Sequence, residues 1–436
     1  MGDDLWMQRR TGTAAIVASG LAAATTANAW RPTRSGPGSL PSFASGLVTS
    51  ELPLASIGAQ AAVFAGLAAR GHVHGRSGRI ALAASVASAG GLLALHRVAL
   101  RSGDVLEDAL VEGLGTEYRN HLGGYKATPG AARLTRAEVR VRLRSDRRRF
   151  VTGPVLAYGD AGRRNQLDVW RRPDLPTDGK APVLVQVHGG AWVTGTKETQ
   201  GVPLMKHLAE SGWVCVAINY RLSPRATWPD HIVDVKRAIA WVREHIAGYG
   251  GDPDFVAITG GSAGGHLASL AALTPNLAAF QPGFEGADTT VQAAVPFYGI
   301  YDFANRDGTG RVDMRRLMED RVFKTRFDAD GAAWDLASPM SHVGPDVPPI
   351  FFLHGANDSL VPVEQARAMV RMQRAVATNP VVYAELPKAQ HAFDVLGSVR
   401  AAHTVRAVAR FLSYVRTTGA SATERAPTDR MTVAGG

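Results

Sequence analysis

Hydrophobic and polar positions divide this chain into two unlike parts. From residue 151 onward, short apolar runs alternate with longer stretches of helical spacing. Pro182–His188 and Val214–Tyr220 are brief, β-branched and apolar, as strands buried on both faces of a sheet should be. Gln166–Arg171 alternates as a half-buried strand, and Phe255–Thr259, Val291–Phe297, Ile350–His354 and Val381–Leu386 read as four more. Between them, Asp230–Ala247 sets Ile232, Val235, Ile239, Val242 and Ile246 on one helical face, with Gly248 and Gly250 as the stop. Ala263–Leu273, Val363–Val376 and Val399–Tyr414 are the other predicted helices. Strands alternating with helices of these lengths predict a mostly parallel, doubly wound α/β sheet.

Residues 1–100 follow a different pattern. They hold no lysine, and their only acids are Asp3, Asp4 and Glu51. Three uncharged apolar stretches, Thr11–Trp30, Leu52–Ala69 and Ile80–Leu95, are rich in small residues and close to the length needed to cross a bilayer. They predict an apolar helical, membrane-associated region. Two other readings stay open. Arg9 and Arg10 ahead of a mild apolar run ending in Ala27-Asn28-Ala29 would also suit a signal peptide, and the helices would serve as a soluble cap. Arginine counts flanking the stretches do not decide which side of the membrane the rest of the chain occupies.

Between these parts, residues 101–150 read as an arginine-rich connector. Arg133, Arg136, Arg140, Arg142, Arg144, Arg147, Arg148 and Arg149 face only Glu138 and Asp146. The run therefore carries more than half of the chain's formal charge of +10. It suits anionic lipid headgroups or a solvated linker; no zinc-finger spacing or RNA-binding aromatic signature accompanies it, which argues against nucleic acid. The organisation expected is thus 1–100 apolar and helical, 101–150 connector, 151–416 α/β domain, and 417–436 a disordered tail of small polar residues.

Of 436 residues, 45% are hydrophobic and 20% charged, which excludes a disordered or fibrous chain. A single cysteine, Cys215, excludes an internal disulfide framework and multi-cysteine metal sites. Its apolar strand context predicts a buried thiol of no chemical role.

The chemistry concentrates in the α/β part. Gly260-Gly261-Ser262-Ala263-Gly264 fits G-x-S-x-G directly between a predicted strand and a predicted helix. There a sharp turn lifts the serine hydroxyl clear of the sheet, beside a helix N-terminus that favours developing negative charge. A hydroxyl needs a base and an orienting acid, expected downstream in the order acid, then histidine. Asp358 follows the strand Ile350–His354, and His391 follows Val381–Leu386. Both stand at strand C-terminal ends, where open α/β sheets hold ligands. His188, His266 and His354 are rival bases; Asp394 and Glu385 are weaker acids. His188-Gly189-Gly190-Ala191-Trp192 follows another strand and predicts backbone N–H groups of Gly189 and Gly190, with that of Ala263, as the oxyanion hole. No metal or cofactor is called for.

With these motifs, and with Tyr220-Arg-Leu-Ser-Pro224, the chain resembles α/β-hydrolase-fold carboxylesterases and lipases of the hormone-sensitive lipase group, most of all the membrane-associated mycobacterial type. The resemblance implies hydrolysis of short- to medium-chain carboxylic esters, or of lipid esters, at a bacterial membrane and without a cofactor. Ala191 departs from the H-G-G-G pattern as formamidase-like relatives do, so an amide-cleaving hydrolase is the alternative. A non-catalytic binding module would be expected to lack a triad member, and none is missing.

Overall fold

The computed structural model describes residues 2–125, 134, 143–151, 153–306 and 308–424. The N-terminal part is helical: α1 (Gly2–Trp30), α2 (Ser39–Glu51), α3 (Pro53–Ala69) and α4 (Gly75–Leu100). These helices meet through small and polar residues. Thr26 Oγ1 lies 2.8 Å from Ser88 Oγ, which donates in turn to Gln60 Oε1 at 2.9 Å, so one hydroxyl pair links α1, α4 and α3. Such short side chains let helix backbones approach closely. Leu52 separates α2 from α3, whose axes bend by 99°.

The next helix, α5 (Ser102–Leu114), differs from the connector expected for 101–150. Leu106, Ala109 and Leu110 recur at helical spacing and are buried against the α/β core, while Glu112 faces Arg374 at 2.8 Å. Arg133, Arg136, Arg140 and Arg142 lie outside the described residues. Of the remaining run, α6 (Leu143–Phe150) binds back to the protein: Arg147 pairs with Asp168 at 2.8 Å and Arg149 with Glu210 at 3.1 Å.

Eight strands follow: β1 (Leu156–Ala157), β2 (Gln166–Trp170), β3 (Ala181–Val187), β4 (Val214–Ile218), β5 (Gly251–Gly261), β6 (Ala293–Phe297), β7 (Ile350–Gly355) and β8 (Val381–Leu386). They form one sheet in the order β1-β2-β4-β3-β5-β6-β7-β8. β1 and β2 pair antiparallel, β2 joins β4 antiparallel, and every later pairing is parallel, as the alternating pattern predicts. Crossover helices α7 (Val202–Glu210), α8 (Asp230–His245), α9 (Ala263–Leu273), α10 (Val312–Leu317), α11 (Gly331–Ala337), α12 (Val363–Arg374) and α13 (Val399–Glu424) cover both faces.

The two-residue period of the strands sorts their side chains between two cores. Val214, Val216 and Ile218 pack with α8 and α9, whereas Cys215 and Ala217 pack with α7 and α13. Cys215 is fully buried there, and desolvation pushes its thiol pKa up, away from the reactive thiolate. The last helix runs eight residues past Arg416, where the tail was expected to begin. Thr417 and Thr418 donate to the carbonyls of Ser413 and Tyr414 and keep the turns closed.

Candidate active site

β5 ends at Gly261 and α9 begins at Ala263, leaving Ser262 alone in the turn with φ of 59°. A residue other than glycine in that region is strained, and the surroundings impose the strain. Ser262 N–H donates to Phe297 O at 3.0 Å, and its carbonyl accepts the N–H of His266 at 2.9 Å. The flanking glycines are required by space: a Cβ on Gly264 would sit 2.2 Å from Val187 O, and one on Gly260 would sit 2.5 Å from Gly264 O.

Asp358 and His391 come from the loops after β7 and β8. His391 Nδ1 donates to Asp358 Oδ2 at 2.6 Å. The other carboxylate oxygen accepts the backbone N–H groups of Leu360 and Val361, both at 2.8 Å. The Asp358 side chain has no exposure. Burial alone would raise its pKa, but the facing His391 and His354 outweigh it and hold the carboxyl well below the usual range. The His391 ring lies between Tyr298, at 4.5 Å between centroids, and the edge of Phe43, at 5.8 Å.

The structure therefore brings Asp358 and His391 into direct contact. Tyr298 directly follows the acceptor of the Ser262 N–H and packs on the His391 ring. Among the described residues, no hydrogen bond joins Ser262 Oγ to His391.

The rival bases are engaged elsewhere. His188 stacks on Tyr220 at 4.4 Å and donates through Nδ1 to Gly189 O at 2.8 Å; burial pushes its pKa down to about 4. His266 accepts from Trp192 Nε1 at 3.2 Å and donates to Ala337 O at 2.8 Å, with a pKa lowered by burial to about 3. His354 lies behind Asp358, with Nε2 at 3.3 Å from its Oδ2. Of the alternative acids, Asp394 accepts the Tyr298 hydroxyl and Glu385 is paired with Arg367 at 2.6 Å.

One of the expected oxyanion donors already has a partner. Gly189 N–H donates to Gln200 Oε1 at 2.6 Å and is therefore already engaged. The next three residues all have positive φ: Gly190 at 123°, Ala191 at 51° and Trp192 at 60°. Successive left-handed residues curl a chain into a concave nest of N–H groups that suits an anion. Among the described residues, the N–H groups of Gly190, Ala191 and Ala263 meet no acceptor. Sequence reasoning also missed Gln390, Tyr298 and Phe43. Gln390 adjoins the histidine in the sequence, but Phe43 belongs to another part of the chain and no motif marks it. No cluster of histidine, cysteine, aspartate and glutamate suited to a metal occurs among the described residues.

Residues 167–372 match the family model described as BD-FAE. The chain is 51% identical over 415 residues to the probable carboxylic ester hydrolase LipM of Mycobacterium tuberculosis, covering 95% of this chain and 96% of that protein. It is 48% identical over 321 residues to the esterase LipQ of the same organism, covering 73% and 76%. To the esterase LipC it is 45% identical over 269 residues, covering 62% and 66%.

Proposed function

The chain belongs to the carboxylic ester hydrolases typified by LipM and LipQ, with the α/β-hydrolase fold, and from that premise we propose that Ser262, His391 and Asp358 are its nucleophile, base and acid. The observation that carries the assignment is the 2.6 Å bond between His391 and a fully buried Asp358, on loops at the same sheet edge as the strained Ser262 turn. With Nδ1 donating to Asp358, the other ring nitrogen is the one left to accept a proton.

The reaction follows from these roles. Ser262 Oγ attacks the ester carbonyl carbon as His391 Nε2 takes its proton, and Asp358 stabilises the imidazolium. The carbonyl oxygen becomes an oxyanion held by the N–H groups of Ala263, Gly190 and Ala191. Removing one such donor typically costs about 2.7–4 kcal/mol of barrier. His391 then protonates the departing alcohol, leaving an acyl group on Ser262. Water attacks that ester with its proton passing to His391, and collapse releases the carboxylic acid and restores the serine hydroxyl.

Membrane association is the second part of the proposal. Among the described residues, one helical run, Gly75–Leu114, is long and apolar enough to cross a membrane, and α2 with α3 passes the same test only as a bent pair. Twelve of the sixteen large apolar side chains exposed among the described residues lie between Ile16 and Leu100. Water disfavours so concentrated an apolar surface, whereas lipid accepts it. The substrates in reach are then esters dissolved in or lying on a bacterial membrane.

The test is hydrolysis of nitrophenyl esters, acetate through palmitate, by the full chain and its Ser262→Ala variant. Turnover by wild type, lost by several orders of magnitude in the variant, is expected. Undiminished turnover in Ser262→Ala would refute the nucleophile.

A further inference from the structure

Helix α2 is packed inside out. Its buried positions are Ser39, Ser42, Gly46, Thr49, Ser50 and Glu51, while Leu40 and Val48 stand exposed. The short polar side chains allow it to lie directly on the loops that carry Asp358 and His391. A Cβ on Gly46 would sit 3.1 Å from Gln390 Nε2, beside His391. Ser359 Oγ, beside Asp358, lies 3.4 Å from Ser39 O. At the far end of the helix, Glu51 accepts from Ser398 Oγ at 2.8 Å and forms a fully buried ion pair with Arg400. The end of α1 grips the same loops. Asn357 donates to Ala29 O at 2.8 Å and Lys388 to Trp30 O at 3.3 Å.

This clamp holds one aromatic residue at the site. Phe43 is half-buried and presents its ring to His391 edge to face, at 75° between planes. One turn further along, Leu47 is also half-buried, and α2 carries no charge before Glu51. An uncharged apolar surface beside the base suits an alkyl chain rather than a charged group.

We propose that α2 is a wall of the active site and that Phe43 bounds the pocket for the acyl chain, so that the membrane-associated region itself selects which esters are cleaved. The inference rests on the reading of Ser262 and His391 as nucleophile and base. It makes the buried face of α2, with Phe43, part of the active site rather than of a detachable anchor.

The experiment compares the full-length wild type with Phe43→Ala and Phe43→Trp on nitrophenyl esters of rising acyl length. The quantity read is the ratio of kcat/KM for decanoate to that for acetate. Both values come from one preparation, so any loss of folded enzyme cancels. Phe43→Ala should raise the ratio about tenfold or more, and Phe43→Trp should lower it, since one methylene in an apolar pocket is worth about tenfold at the least. Leu40→Ala, on the exposed face of the same helix, should leave it unchanged. Equal ratios in wild type and both Phe43 variants would overturn the proposal. So would a shift confined to acetate esters of alcohols of rising length, because the wall would then border the leaving group. Turnover surviving in Ser262→Ala would instead overturn the nucleophile reading.

Discussion

The side-chain oxygen of Gln390 accepts the backbone N–H of Ser359 at 2.7 Å, and so fastens the Asp358 loop to the His391 loop. The same oxygen accepts the Ser359 hydroxyl at 3.1 Å and the N–H of His391 at 2.8 Å. Gln390 is buried, so a replacement without an acceptor leaves donors from both loops unpaired, at about 1–3 kcal/mol each. Gln390→Leu should lower kcat about a hundredfold, because a misplacement of about 1 Å costs that much, with KM little changed. Gln390→Glu keeps the acceptor and should recover part of the loss. Equal kcat in wild type and Gln390→Leu would show that the loops hold their geometry without this oxygen.

Asp358 is buried and Asp394 half-buried, but only Asp358 touches the His391 ring nitrogen. Asp394 accepts from Tyr298, and desolvation raises its pKa, so it is poorly suited to stabilise an imidazolium. Asp358→Asn should cut kcat by about 10⁴-fold through the wrong histidine tautomer. Asp394→Asn should stay near wild type, since an amide can still accept the tyrosine proton. The reverse ranking in steady-state kinetics would move the acid to Asp394.

The α/β domain was legible because its strands are buried on both faces and read as uninterrupted apolar runs, and because each chemical motif follows one of them. Ser262, Asp358 and His391 could be ordered along the sheet edge for that reason. The oxyanion loop was legible only in part. Its glycines mark a tight turn, but which N–H faces the site depends on Gln200, a residue outside the motif that captures Gly189. The contact of α2 with the Asp358 and His391 loops left no trace, since its buried face is serine, threonine, glycine and one glutamate, and hydrophobic periodicity cannot register such a face. Likewise α5 sits next to the arginine run in sequence, yet its Leu106, Ala109 and Leu110 stripe joins the core.

Acid stability should be governed in part by three buried histidines. Burial lowers the pKa of His188 to about 4, and those of His231 and His266 to about 3, from the ordinary value of 6.5. Because the unfolded chain takes up these protons first, folding stability is fully present above about pH 6.5 and falls as the pH drops toward the folded values. Each proton taken up on unfolding contributes a slope of about 1.4 kcal/mol per pH unit in that window. Urea denaturation at pH 7.0, 5.5 and 4.5 measures the slope, and His266→Gln should make it shallower. A midpoint independent of pH across this range would mean that the folded and unfolded chains take up the histidine protons equally.

Val63 on α3 and Val86 on α4 are 55% and 62% exposed, and both lie well inside their helices. In contact with lipid these positions cost nothing, whereas a charge at the bilayer centre costs about 2.5–3.5 kcal/mol. Full-length wild type expressed in a bacterium should sediment with membranes and resist extraction at alkaline pH. A Val63→Glu/Val86→Glu double variant should shift toward the soluble fraction, with the decanoate-to-acetate ratio unchanged because both side chains are exposed and stand on helices other than α2. If the helices were instead a water-facing cap, added charge would leave fractionation as it was, and the wild type would already be soluble without detergent.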